Sequence, residues 1–496
     1  MTSVTVVGGG AAGLAAAYAA AREGARVTLL ERGERLGGTT ALSGGNAWLP
    51  ANPHVPDDTP ESALAYLRAL ALGDADDVLL EVFVREAGPT AARIERETAV
   101  RWQPIAYPDY HAEFEGGREQ GGRTLEPQPL DPTPRAAALV RDAPNITAPI
   151  TYAELATGEI DRAELARRKE RGTFTLGRAL LAGLLEACLD AGVTVRTGER
   201  VRALPEADAV ILASGGFERD TQLTRAFLRG PMLAPVGAPG AEGDGLRMAI
   251  SAGAALGSMS EAWWCPAASI PGDTIDGRPL FRLILTERAR PGCLLVNGHG
   301  VRFVDEAQNY NDLGRTLQNF EPTSFSFPNV PAWLVFDGGY RARYRLGPLS
   351  RRDPDPDWLA RGETLGELAR AIDVPPAALA ATVARFNEGA SRGEDPQFGR
   401  GSYPYDRFIG SLGPLEDAPF YALRVLPGCL GTKGGPRIDA HGRVLSVLTG
   451  DPIRGLYAAG NVAASAFGLA YPGAGGTLGP ALVFGLRAGA AAASDA

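Results

Sequence analysis

Cysteine and histidine are scarce, four of each in 496 residues. Cys188, Cys265, Cys293 and Cys429 stand far apart without a CxxC pair, which argues against a disulfide framework, a zinc site or an iron–sulfur cluster. His54, His111, His299 and His441 lie beside turn residues and form no metal-spaced pair, so no metal is expected. Lysine is rarer still: Lys169 and Lys433 are the only two among 49 cationic residues, which makes Lys433 conspicuous. Against 58 acidic residues the net charge is −9, unsuited to nucleic acid or an anionic membrane surface. No 18-residue uncharged apolar run is present and residues 1–7 lack a basic n-region; no integral membrane segment is expected, and a cytoplasmic protein is the default. Glycine (63) and proline (38) are abundant instead, though below the roughly 25–30% that signals low complexity. At roughly 100–200 residues per domain the length allows two or three domains.

The glycines begin at once. Ser3–Val7 alternates as a short strand, Gly8, Gly10 and Gly13 come next, an alanine-rich helical pattern runs to Arg22, and a second strand, Arg26–Leu30, ends at Glu31. This is a βαβ unit with GxGxxG in its turn and an acid 18 residues beyond the last glycine. Glycines let backbone approach a pyrophosphate, a helix N-terminus offers unpaired N–H groups, and Glu31 can accept ribose hydroxyls. The motif fits NAD or FAD. No second GxGxxG precedes a strand–helix pair, so a separate NAD(P)H domain is not expected.

The residues beyond Glu31 favour FAD. The small-residue stretch Gly37-Gly38-Thr39-Thr40-Ala41-Leu42-Ser43-Gly44-Gly45 leaves backbone open to a flat ring system. Ala209–Phe217 and Gly455–Asn461 read as buried strands running into glycine turns. With these the chain resembles FAD-dependent oxidoreductases of the fumarate reductase/succinate dehydrogenase flavoprotein superfamily. Four further stretches sharpen the likeness: Pro108-Asp109-Tyr110-His111, Arg302–Tyr310 closing a hairpin, Leu430–Gly435, and Gly468–Pro480 at the start of the last helix. Together they resemble 3-ketosteroid Δ1-dehydrogenases and related ketone desaturases.

The resemblance implies an α/β fold: a Rossmann-like FAD-binding domain formed by both chain ends, residues 1–260 and 414–496, with a cap domain inserted over 261–413. It implies non-covalent FAD held by Gly8, Gly10, Ala11, Ala12, Gly13, Glu31, Arg32, Gly38, Thr39, Thr40, Ser43, Gly44, Gly45, Val201, Ala213, Ser214, Gly215, Gly460, Asn461, Gly476 and Leu478. No histidine falls within Gly38–Gly45, so a histidyl-flavin bond is not expected.

The implied reaction removes an α-proton and a β-hydride from a cyclic ketone, a 3-ketosteroid first, and passes electrons to an external quinone-like or dye-like acceptor. Tyr310 matches the family's general base and Tyr110 its hydrogen-bonded helper, with Tyr107 as the alternative helper. The Tyr471 hydroxyl and Gly475 amide match a two-donor site for the ketone oxygen. Ionising an ordinary tyrosine at pH 7 costs about 4 kcal/mol, which a hydrogen bond from Tyr110 is expected to reduce. Trp263, Trp264, Phe281 and Phe467 are candidates for an apolar pocket wall or for plain core. Lys433 either caps a turn or places charge near reduced flavin.

The rival readings are a desaturase of a smaller cyclic ketone such as a cyclohexanone and a dicarboxylate oxidoreductase of the fumarate reductase or succinate dehydrogenase type. That family's carboxylate-binding stretch resembles Gly431-Thr432-Lys433-Gly434-Gly435 but without its histidine, and Arg288 and Arg290 lie near its acid arginine with Pro291 breaking the spacing.

Overall fold

A computed structural model describes every residue except Glu159 and Ala496. The first sheet has six strands in the order Arg443–Leu445, Pro452–Ala458, Ala209–Leu212, Ser3–Val7, Arg26–Leu30 and Thr194–Arg196. All neighbours run parallel except the first pair. The central strand Ser3–Val7 is buried on both faces from Val4 to Val7, as parallel sheets require. Its partners align Val4 with Val27 on one side and with Ala209 on the other. Consequently Val7, Leu30, Leu212 and Ala458 end along one sheet edge, and the chain leaves each of them toward the same crevice.

The helices that form this domain pack by their smallest residues. Ala11–Arg22 lies against the last helix, Leu478–Ser494. A Cβ on Gly489 would sit 2.1 Å from the Ala16 carbonyl oxygen and one on Gly485 2.8 Å from that of Ala12. Larger residues would force these helices apart, and with them the glycine loop at the head of the first.

The second sheet is antiparallel, in the order Arg278–Leu283, Ala262–Ile275, Phe420–Thr432, Ala332–Phe336 and Cys293–Val296, with Ala360–Gly362 added antiparallel and Ala234–Pro235 added parallel along Phe420–Thr432. It therefore reaches outside residues 261–413 at both ends. Phe420–Thr432 is a single 13-residue strand that belongs to this sheet at its start and delivers Thr432 and Lys433 beside the first sheet's crevice at its end. Leu365–Ala371 and Pro376–Ala390 cover one face of the sheet, the break falling before Pro376.

Candidate active site

The residues singled out at the nucleotide end converge. Gly8 has φ +113°, and a Cβ there would meet the Ala213 carbonyl oxygen at 2.4 Å. A Cβ on Gly13 would lie 1.8 Å from the Gly8 carbonyl oxygen, so this glycine closes the loop from behind. The helix Ala11–Arg22 begins at Gly10 with no side-chain cap, and the Ala11 N–H donates to Thr40 Oγ1 at 3.2 Å. Glu31 accepts backbone N–H bonds from Gly9 (2.9 Å) and Gly33 (2.8 Å), which fix its carboxylate at the strand end. Arg32 is held by Glu242 at 2.9 Å and by the Gly240 carbonyl. Thr39 Oγ1 accepts from the Ala238 N–H, and Ser43 Oγ bridges the Thr40 carbonyl and the Gly45 N–H, which shapes the small-residue loop.

These groups open onto one cleft of about 1330 Å³, larger than the roughly 300–1,000 Å³ of an ordinary ligand pocket. Every cofactor residue inferred from sequence lines it except Gly13 and Gly476, which lie behind the wall. A Cβ on Gly476 would lie only 2.7 Å from the Tyr471 ring, so its contribution is to seat that ring. The uncapped helix N-terminus, the collision-limited glycines and the buried Ser214 hydroxyl, which has no partner among the described residues, fit a dinucleotide such as FAD.

At the other end of the cleft Tyr110, Tyr310, Tyr471 and Gly475 meet. Asn309 caps the helix Tyr310–Thr316 by accepting from Asn311 and Asp312 N–H, so Tyr310 opens a helix and does not close a hairpin as the sequence suggests. Tyr471 stands in a loop seven residues before the last helix begins at Leu478. Tyr310 O–H donates to the Tyr471 oxygen at 2.7 Å, and Thr477 Oγ1 donates to the same oxygen at 3.3 Å. The Tyr471 oxygen is thus a double acceptor. Its own O–H proton, and the Gly475 N–H, have no protein acceptor among the described residues. Gly475 has φ +91°, and Trp48 N–H donates to its carbonyl at 3.0 Å.

Tyr110 completes the cluster, its ring centroid 5.6 Å from Tyr310 and 5.4 Å from Tyr471. Tyr107 also lines the cleft and packs on Phe408 at 4.5 Å. Burial pushes the Tyr310 and Tyr110 hydroxyls well above their ordinary range, and burial also raises Tyr471. The neighbouring Tyr110 and Tyr471 add to burial in raising Tyr310, because a neighbouring phenol that ionises competes for the same negative charge.

Three buried or half-buried ion groups, of which sequence reasoning singled out only Lys433, hold the segments carrying these tyrosines. His111 Nε2 contacts Asp312 Oδ2 at 2.7 Å, tying the residue after Tyr110 to the Tyr310 helix. Burial opposes charge on His111, but Asp312 and Glu113 overcome it and raise the imidazole to about 9. Arg123 is buried between Asp58 and Asp109, both at 2.7 Å, and Trp48 Nε1 donates to Asp109 at 2.8 Å. Lys433 is buried off the main cleft and donates to the carbonyls of Gly468 (3.2 Å), Leu469 (2.9 Å) and Ala470 (2.8 Å), directly before Tyr471. Its ammonium also sits 4.2 Å from the Trp263 ring centroid, and Trp263 packs 4.9 Å from Tyr471. Desolvation lowers Lys433 to about 7. Of the four aromatic candidates for the wall, Phe281 lines the cleft. Trp264 and Phe467 are core, because each finds a full set of apolar neighbours away from it.

A parallel sheet whose strand ends carry a dinucleotide cradle, joined to an antiparallel cap sheet over a shared cleft, defines a flavoprotein oxidoreductase. The chain belongs to the FAD binding domain family, whose model matches residues 3–478. It is 41% identical, over 99% of its own length and 93% of the relative's, to the 4-oxocyclohexanecarboxylate 2-dehydrogenase of Sinomonas cyclohexanicum. It is 35% identical to the 3-oxosteroid 1-dehydrogenase of Mycobacterium tuberculosis, over 98% of this chain and 97% of that one. The crystal structure of 3-ketosteroid Δ1-dehydrogenase from Sterolibacterium denitrificans, in complex with 1,4-androstadiene-3,17-dione, superposes with a TM-score of 0.92 at 33% identity over the full length of both chains.

Proposed function

We propose that this chain catalyses FAD-dependent α,β-desaturation of a cyclic ketone, a 3-ketosteroid being the leading substrate, and hands its electrons to an external quinone-like or dye-like acceptor. The observation that carries the reading is the pair of unspent donors, Tyr471 O–H and Gly475 N–H, beside Tyr310 in the cleft. Bound FAD supplies the acceptor for the β-hydride. Tyr310 takes the α-proton: its own hydroxyl proton is first lost to solvent in the open cleft, the resulting phenolate oxygen gains the α-proton, and the C–H electron pair moves toward the ketone. Charge then develops on the ketone oxygen, where Tyr471 O–H and Gly475 N–H stabilise it, each worth roughly 3–4 kcal/mol in such sites. The Tyr310 hydrogen bond to Tyr471 orients both groups at once. We place the reaction in the cytoplasm, where four unpaired buried cysteines stay reduced.

A large apolar substrate is supported by the cleft wall beyond the tyrosines, which includes Ile270, Phe281, Leu283, Ile284, Leu346 and Leu423. A smaller ketone bearing a carboxylate is the second reading, favoured by the 41% relative. Against it, Arg141, Arg278 and Arg282 on the wall are already paired with Asp276, Glu242 and Asp273. A dicarboxylate substrate is disfavoured because Lys433 has spent its donors on the 468–470 carbonyls. Anaerobic mixing of the holoenzyme with a 4-ene-3-ketosteroid, 4-oxocyclohexanecarboxylate and succinate tests all three. Rapid flavin bleaching by a ketone is expected, and bleaching by succinate alone overturns the proposal.

A further inference from the structure

The cleft holds two further tyrosines beside the reacting set. Tyr107 and Tyr152 both line it, and their rings meet edge to face with centroids 6.4 Å apart. Neither hydroxyl has a hydrogen-bond partner among the described residues. Tyr152 opens the helix Tyr152–Thr157, and that opening is pinned: Glu126, fully buried, accepts from the Tyr152 N–H and, at 3.0 Å, from the Ala153 N–H. The Tyr152 ring lies on the small-residue loop, since a Cβ on Gly44 would sit 2.3 Å from it. Glu126 belongs to the strand Thr124–Pro127, which pairs with Ala47–Trp48 on one side and with Trp102–Pro104, three residues before Tyr107, on the other. Two positions before Glu126, Thr124 Oγ1 donates to the Ala474 carbonyl at 2.9 Å, next to the Gly475 donor. One short strand thus anchors both the Gly475 loop and Tyr152, from positions about 7 Å apart.

We propose that Tyr152, together with Tyr107, forms a second polar subsite that recognises an oxygen carried on the ring of the ketone, away from the reacting carbonyl. The inference rests on the reading of Tyr471 and Gly475 as the ketone site, because that reading fixes which end of the substrate lies where. A substrate that fills the cleft strips water from both hydroxyls, and a polar group covered without a partner costs free energy. A ring that brings an oxygen acceptor to them avoids that cost, and a ring of carbon alone does not. A carboxylate or a second carbonyl supplies the acceptor, and a phenol O–H donates to either. With Arg141, Arg278 and Arg282 already paired, selection here works through hydrogen-bond donors and not through opposite charge. The subsite filters within the class of cyclic ketones and leaves the reaction to Tyr310, Tyr471 and Gly475.

The test compares dissociation constants, by calorimetry, for 4-oxocyclohexanecarboxylate, cyclohexane-1,4-dione and cyclohexanone. The protein is the FAD-loaded Tyr310→Phe enzyme, in which turnover should not consume the ligand, with and without Tyr152→Phe or Tyr107→Phe. With both hydroxyls present, at least one of the two oxygen-bearing ketones should bind about tenfold or more tighter than cyclohexanone, the scale of a donor left unpaired by the plain ring. Tyr152→Phe should bring that ratio close to one, Tyr107→Phe should lower it, and the ketone that loses more identifies the preferred oxygen. Each variant removes a single oxygen, and flavin absorbance reports that the cofactor is still in place. A ratio near one with both hydroxyls present, or a ratio that both added variants leave unchanged, overturns the proposal. Loss of flavin from Tyr152→Phe with the ratio unchanged assigns that hydroxyl to the cofactor and overturns it equally. Normal bleaching of Tyr310→Phe by these ketones overturns the base reading instead, and the ratio is then read from the concentration dependence of bleaching.

Discussion

Tyr471→Phe deletes one oxygen and leaves the ring. That ring is fixed by Trp263 at 4.9 Å, Tyr310 and Tyr110 at 5.4 Å, and the Cβ-less Gly476 beneath it, so phenylalanine should occupy the same place. Two consequences separate cleanly. Tyr310 and Thr477 each lose an acceptor, which costs stability by about 1–3 kcal/mol if Tyr310 O–H stays buried and unpaired. The ketone oxygen loses one of two donors, which costs roughly 3–4 kcal/mol of barrier and slows reduction by a factor of about 10²–10³. FAD should remain bound, because the cradle from Gly8 to Gly45 does not touch the hydroxyl. Stopped-flow bleaching under anaerobic conditions reads the barrier, equilibrium unfolding reads the stability, and flavin absorbance reads occupancy. The double variant with Tyr310→Phe should lose less than the sum of the single losses, since each side chain orients the other. A Tyr471→Phe enzyme that reduces its flavin within a few-fold of wild type refutes the two-donor account.

Gly13→Ala should abolish FAD retention during purification, because its Cβ would sit 1.8 Å from the Gly8 carbonyl oxygen and displace the loop; full flavin occupancy would contradict this. Lys433→Met should leave three loop carbonyls unpaired and lower stability by about 1–3 kcal/mol, with ketone-driven reduction slowed and flavin occupancy retained. Lys433→Arg should recover part of both losses, as measured by unfolding and bleaching side by side. His111→Gln tests the tie to Asp312. Its raised folded value, about 9 against an ordinary 6.5, means that the stabilisation is fully present below pH about 6.5 and fades as pH climbs through 9. The stability gap between wild type and His111→Gln should therefore be widest at pH 6 and close above pH 9; a gap that widens with pH would be the wrong sign.

Much of the nucleotide cradle was legible because its pieces are close in the chain. Gly8, Gly13 and Glu31 fall in one βαβ unit whose period and spacing carry the signal. The helix at Tyr310 was also readable, since Asn309 followed by Asp312 is a capping pattern, but the glycine turn at 297–300 drew the reading toward a hairpin. The clasps were not. His111 and Asp312 are 201 positions apart, and nothing local distinguishes that histidine from the three others. Arg288 showed in sequence only as a misplaced match to a dicarboxylate site, whereas its buried guanidinium donates to the Ile284 and Glu306 carbonyls. Lys433 was visible for its rarity, yet its three carbonyl acceptors belong to a loop that sequence read for its tyrosine.

The three tyrosines come from three separate segments, and each segment is held by a charge that the ketone never meets: Asp109 by Arg123, the Tyr310 helix by His111, and the Tyr471 loop by Lys433. Charges are expensive to bury, so their repeated use here has a physical sense. A tyrosine hydroxyl can be placed to within a hydrogen-bond length only if its backbone does not drift, and glycine-rich loops, needed for close approach to the cofactor, resist drift poorly. Ionic ties to backbone carbonyls and to neighbouring helices supply the rigidity that the glycines give up, and directional bonds fix position where apolar packing alone would permit sliding. The same reasoning explains why the two donors to the ketone oxygen carry no formal charge. An arginine or histidine at the position of Tyr471 would attract water and anions into the ketone site, whereas a hydroxyl with one unspent proton stays neutral until the substrate oxygen gains charge.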